Sequence, residues 1–363
     1  MAGRDEPPEG SPEGLPSGGD DEYRSVVFDE SFIRAARLQE FSAQERMGRH
    51  ARAVRSRSGW PRRGPGRLLV ALALLVVAFG TAVFMGIHHP YRPPQVPRAQ
   101  PLRTTVVPLA PRGTVPGGTP ADLFAHSPAA AFRTGADGVN PPGARSTAHF
   151  AYSEVLAALK IARQYVVASS LDPAVLMGGP AQKVRDLIAP DQYPQFDRSL
   201  AAPSADGRHA ATGWLVRFDP ARVALAGPDV RVAGVMRYEE SADRTLEVVA
   251  DHTFVYPLRP AGPRAGRTGS ATADGASLFT VRREVHFRFA AEDLRLRQAE
   301  VTVADVQAGP QSCTADVANR LRPLLAGERA SNGGPAGTDP YATGQPATSL
   351  CGTLAARSQP VLP

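Results

Sequence analysis

Lysine is nearly missing from this chain: only Lys160 and Lys183 stand among 41 basic residues. Isoleucine occurs four times and asparagine three times, while Ala, Arg, Gly and Pro abound. That bias follows the codon supply of a GC-rich genome, so the arginine content says little about an anionic partner. The net charge of +6 is spread along the chain. No basic stripe carries interleaved aromatics, which excludes a nucleic-acid footprint. There is no GxSxG elbow, no HExxH, no P-loop and no GxGxxG after a strand pattern, so the common hydrolase, metalloprotease and nucleotide-binding signatures are excluded. The two cysteines, Cys313 and Cys351, sit in no CxxC or Cys/His cluster, which argues against a metal site. These absences favour a non-enzymatic protein without a cofactor.

Charge is also absent from Leu68 to Ile87, LLVALALLVVAFGTAVFMGI, whose most polar residue is Thr81. As a helix, such a run spans about 30 Å, the hydrocarbon thickness of a bilayer. The expectation is a single transmembrane helix over 68–87. Arg46, Arg49, Arg52, Arg55, Arg57, Arg62, Arg63 and Arg67 precede it with no acid among them, and basic residues stay on the cytoplasmic side. The expected location is therefore the cell membrane, with a cytoplasmic N-terminus and an extracytoplasmic C-terminal domain. A cleaved signal peptide would need an n-region of about 67 residues, far beyond the usual range. The same arginines suit anionic inner-leaflet lipids. Ala78, Ala82 and Gly86 form a small-residue strip of the kind that lets two spans approach as a homodimer.

Composition divides the rest. Residues 1–22 are Pro, Gly and acid, too polar to order themselves. Residues 23–67 hold a juxtamembrane helix and the basic segment. Phe28, Phe32 and Phe41 there suit either the lipid interface or a protein partner's groove. Residues 88–146 are rich in proline and read as a linker. An α+β domain is expected over 147–325, followed by a C-terminal tail over 326–363. Cys313 and Cys351, an even pair on the oxidising side, read as a disulfide tying that tail down.

Within the domain, Tyr152, Val155, Leu156, Leu159, Ala162 and Val166 repeat with helical spacing, ending before Asp172-Pro173. A second short helix is expected from Ala181 to Ala189. The period then becomes two. Trp214, Val216 and Phe218 alternate; Val230 and Val232 open a strand running to about Tyr238. Leu246, Val248, Ala250, His252, Phe254 and Tyr256 share one face. Phe279, Val281, Arg283, Val285, Phe287 and Phe289 share another. A strand with a parity slip is expected over 294–306, as a bulge would cause. Helices followed by about five strands predict two N-terminal helices packed on a curled antiparallel sheet. By element order this resembles the cystatin-like and nuclear-transport-factor-like rolls.

Several strings carry a further resemblance: DEYRSVVFDESFIRAARLQEFSAQERM, ASSLDPAVLMGG, ADVQAGPQSC and LRPLLAG. They resemble single-pass membrane proteins of streptomycete-type actinobacteria. That family carries no assigned catalytic or ligand residue, so the resemblance implies a membrane protein and no chemistry.

Two polar residues interrupt apolar strand faces. His252 stands between Ala250 and Phe254, and Arg283 between Val281 and Val285. An arginine seldom faces a core unless it is paired or lines a cavity. His252 and Arg283 are therefore the candidate ligand-binding residues. They would share a concavity with Tyr152 or Tyr165 and suit a small anion. The competing reading is a satisfied core histidine and a structurally paired arginine. Asp251 is no dyad partner for His252, because adjacent strand residues point to opposite faces.

Overall fold

A computed structural model describes residues 65–88, 99–262, 275–344 and 350–362. Among them the α-helices are α1 (Pro65–His88), α2 (Pro120–Ala125), α3 (Tyr152–Ser170), α4 (Pro173–Leu176), α5 (Gln182–Arg185), α6 (Tyr193–Ala201), α7 (Ala211–Trp214) and α8 (Ala291–Leu296). The strands are β1 (Arg103–Ala110), β2 (Arg133–Thr134), β3 (Val223–Leu225), β4 (Arg231–Glu240), β5 (Leu246–Pro260), β6 (Ser277–Phe289), β7 (Glu300–Gly309), β8 (Ala336–Thr338) and β9 (Gly352–Leu354).

The chain forms two units, residues 1–93 and 94–363. In the first, α1 covers the long apolar run. Its described apolar side chains, Leu69 through Phe84, face solvent. Among the described residues no helix is long and apolar enough to cross a membrane. This overturns the expected transmembrane anchor, and with it the cell-membrane location and the two-sided topology. Ala78 and Ala82 are exposed on α1. The surroundings of Gly86 and Arg67 lie outside what is described, as do Arg46, Arg49, Arg52, Arg55, Arg57, Arg62 and Arg63. The juxtamembrane helix expected before the span, with Phe28, Phe32 and Phe41, also lies outside the described residues.

The second unit is α+β, but its sheet is not the small curled antiparallel one expected. Nine strands form one mixed sheet in the order β2-β4-β5-β6-β7-β1-β9-β8, with β3 also pairing β5. β4, β5, β6 and β7 pair in succession as antiparallel neighbours. β1 lies parallel to both β7 and β9. The two-helix roll is therefore corrected to a large mixed sheet. β1 causes the difference. It comes from the proline-rich segment, where Pro108 takes a ladder position opposite Ala308.

The two-residue period of β5 and β6 has its expected result. Leu246, Val248, Ala250, Phe254, Tyr256, Phe279, Val281, Val285, Phe287 and Phe289 all enter the main core, with Val155, Leu159, Ala162 and Val166 of α3. β5 is buried on both faces over most of its length. On the opposite face Val255 and Leu278 pack against Leu123, Phe124 and Ala129. Residues expected to continue a strand from Leu294 instead form α8, which ends at Arg297 in the left-handed region (φ 58°). A register shift lies at His286/Phe287 opposite β7.

Cys313 and Cys351 are disulfide-bonded, their Cα atoms 5.6 Å apart and 38 positions apart in sequence. The segment they enclose also packs. Thr253 Oγ1 donates to the Pro340 carbonyl (2.7 Å), Tyr341 Oη lies 3.1 Å from Thr280 Oγ1, and Gly344 N donates to Asp251 Oδ2 (2.8 Å). Loop-closure entropy for a span of this length gives roughly 3–4 kcal/mol. Replacing both cysteines with serine should lower the urea-unfolding free energy by about that amount, with no change in the serine protein on adding reductant. A loss below about 1 kcal/mol would show that packing alone holds the tail.

Candidate functional site

The ladder sets His252 of β5 directly opposite Arg283 of β6. On the other flank His252 is opposite Gly234 of β4. A Cβ at Gly234 would lie 2.3 Å from the Asp251 carbonyl oxygen and 2.6 Å from His252 Cδ2. Glycine is required there because the β5 backbone and the imidazole together occupy the place of a side chain. His252 is 0% exposed, and burial pulls its pKa down to about 4 while neighbouring Asp251 opposes the shift. Among the described residues neither ring nitrogen of His252 has a hydrogen-bond partner.

Arg283 is 2% exposed, and its bonds tie the sheet to two helices. One terminal nitrogen donates to Ser169 Oγ (2.9 Å) and Ser170 Oγ (2.8 Å) at the end of α3. The other donates to the carbonyls of Gly213 (2.7 Å) and Trp214 (3.0 Å) at the end of α7. Helix C-terminal carbonyls are suited to this role, since they have no intrahelical partner and carry partial negative charge. Burial lowers the Arg283 pKa, and the Tyr165 and Tyr256 side chains oppose that. Tyr165 donates to the same Trp214 carbonyl (3.0 Å), and burial pushes its hydroxyl up to about 12 against the pull of Arg283. Tyr256 donates to the Ser170 carbonyl (2.7 Å), and burial raises its pKa as well.

Of the four residues expected around a concavity, the fold thus brings together His252, Arg283 and Tyr165. Tyr152 stands apart, 57% exposed at the start of α3. Asp251 faces away from His252, as strand alternation requires. It accepts two bonds from Arg282, at 2.9 and 2.7 Å, in a buried pair beneath the C-terminal segment.

A groove of about 400 Å³ is lined by Tyr152, Leu156, Lys160, Ile161, Leu294 and Arg297 among others, and by neither candidate residue. Sequence reading missed it because α3 and α8 lie more than a hundred residues apart. The sequence pattern placed Leu156 on the core-facing stripe of α3, whereas the structure leaves it half-buried in this groove. Among the described residues no group of three or more His, Cys, Asp or Glu is placed to hold a metal ion. No protein-family model, curated protein or solved structure matches the chain.

Proposed function

We propose that the 94–363 unit is a non-enzymatic interaction domain, with His252 and Arg283 serving its architecture. The observation that carries this reading is the fate of Arg283. Four hydrogen bonds from its terminal nitrogens go to protein groups, closing α3 and α7 onto the sheet. A catalytic or anion-binding arginine would keep those donors for its ligand. His252, sealed opposite it, has no route to a substrate.

Chemical accessibility tests the reading. Diethyl pyrocarbonate acylates neutral imidazoles that it can reach. In the folded protein at pH 7, His252 should react at least about 100-fold more slowly than a freely accessible imidazole, because exposure requires opening of core strands. His149, whose side chain is 49% exposed, provides the internal reference. The difference should vanish in urea. Acylation of His252 at the rate of His149 in folded protein would overturn the proposal and restore the pair to an open pocket. The unpartnered ring nitrogens of His252 are what such a pocket would use.

A further inference from the structure

We infer that the groove between α3 and α8 binds a single-chain amphiphile with an anionic head. The inference does not depend on the roles of His252 and Arg283, which lie on the other side of α3. The groove's volume, about 400 Å³, falls within the roughly 300–1,000 Å³ range of small-molecule sites. Its floor is apolar: Ile161 and Leu294 are buried, and Leu156 and Ala157 are partly so. Ser153, Leu156, Ala157, Lys160 and Gln164 follow one another at helical spacing, so the groove runs along α3.

Charge decides the class of ligand. Two cations, Lys160 and Arg297, line the groove, and no carboxylate does. The nearest acids in sequence turn back to their own helix starts. Glu154 accepts from Ala151 N (2.8 Å) and Asp293 from Ala290 N (2.7 Å). Among the described residues Lys160 makes no ion pair, unlike the chain's other lysine, Lys183, which holds Asp172 at 2.9 Å. An apolar floor with cations and no competing anion fits a carboxylate or phosphate head on an apolar tail. Tyr152, exposed at the rim, offers a ring and a hydroxyl to the same ligand.

The test is calorimetric titration of the full chain with decanoate below its micelle concentration. Decyl phosphate, decanol and acetate are the comparison ligands. Decanoate or decyl phosphate should bind in the micromolar range, and whichever binds tighter identifies the head group. Acetate and decanol should each bind at least tenfold more weakly, one lacking the tail and the other the charge. The decisive variant is Lys160→Gln with Arg297→Gly. Lys160 is exposed, and glycine takes the left-handed backbone of position 297 without a Cβ penalty, so melting should be unchanged. Binding of the anionic amphiphile should fall at least tenfold. Equal binding by the variant would place the amphiphile elsewhere, on α1 for example, and overturn the inference. So would decanol binding as tightly as decanoate, or no binding by either anion.

Discussion

Arg283→Ala is expected to lower the unfolding free energy by about 4 kcal/mol, read from urea titrations at pH 7. The substitution removes a buried side chain and takes its donor from the Gly213 carbonyl and the Ser169 and Ser170 hydroxyls, while the Trp214 carbonyl keeps its bond from Tyr165. Orphaned buried polar groups cost about 1–3 kcal/mol each before relaxation, and truncation in a core adds a cavity term. Against a typical domain stability of roughly 5–15 kcal/mol, that is a large share. Arg283→Met separates the two contributions. Methionine fills much of the volume and carries no charge to desolvate, but it donates nothing, so it should recover the cavity part alone. An alanine variant within about 1 kcal/mol of the native protein would show that Arg283 does not tie the helices to the sheet.

Stability should also fall steeply in acid, and His252 should be the cause of a separable part. Its pKa is about 4 in the folded protein against 6.5 for an ordinary histidine. The unfolded chain therefore binds the proton first as pH falls. The contribution is fully present above pH 6.5 and is lost progressively as pH drops to about 4. The gap corresponds to roughly 3 kcal/mol. Protonation would also set a second positive charge opposite Arg283. Asp293 and Glu300, whose pKa values burial raises, act in the opposite sense and blunt the overall profile. The comparison is therefore differential. Between pH 7 and pH 4 the native protein should lose roughly 3 kcal/mol more than a His252→Gln variant, whose side chain does not titrate. Parallel profiles would mean that His252 is solvated in the folded state.

The sequence made the middle of the sheet legible, and with it the pair His252 and Arg283. β5 and β6 are long, bounded by turn or loop residues, and strictly alternating, so their faces follow from periodicity alone. What periodicity could not supply was the partner of each polar residue. The donors of Arg283 reach Gly213 and Trp214, in a stretch whose alternation suggested a strand. The chain instead makes the short helix α7, and then an extended run in which Val216 N donates to the Ser169 carbonyl and Phe218 N to that of Leu176. β1 was hidden for another reason. Proline density is a local signal for a linker, whereas the strand's ladder partners lie far along the chain. Strand alternation puts Arg282 on the face opposite Arg283, and its burial depends on a C-terminal segment too rich in glycine and proline to announce a packed cover. α8 was read as strand because Leu294 and Leu296 are spaced by two, a pattern that a helix of six residues also accommodates.

The position of β1 has a consequence for how the protein is made. Arg103 pairs with Val303, a separation of 200 residues, and Leu109 pairs with Gly352 still later. A ribosome adding about 5–20 residues per second needs roughly 10–40 s to cover the first of those intervals. During that time Val107 and Leu109, buried in the finished sheet, have neither ladder partner. The nascent chain therefore carries an apolar strand with open edges through most of its own synthesis, the state in which unpaired strands recruit other chains. Ribosome-bound intermediates ending before β7 should accordingly be the species that holdase chaperones retain, and release should follow the emergence of β9.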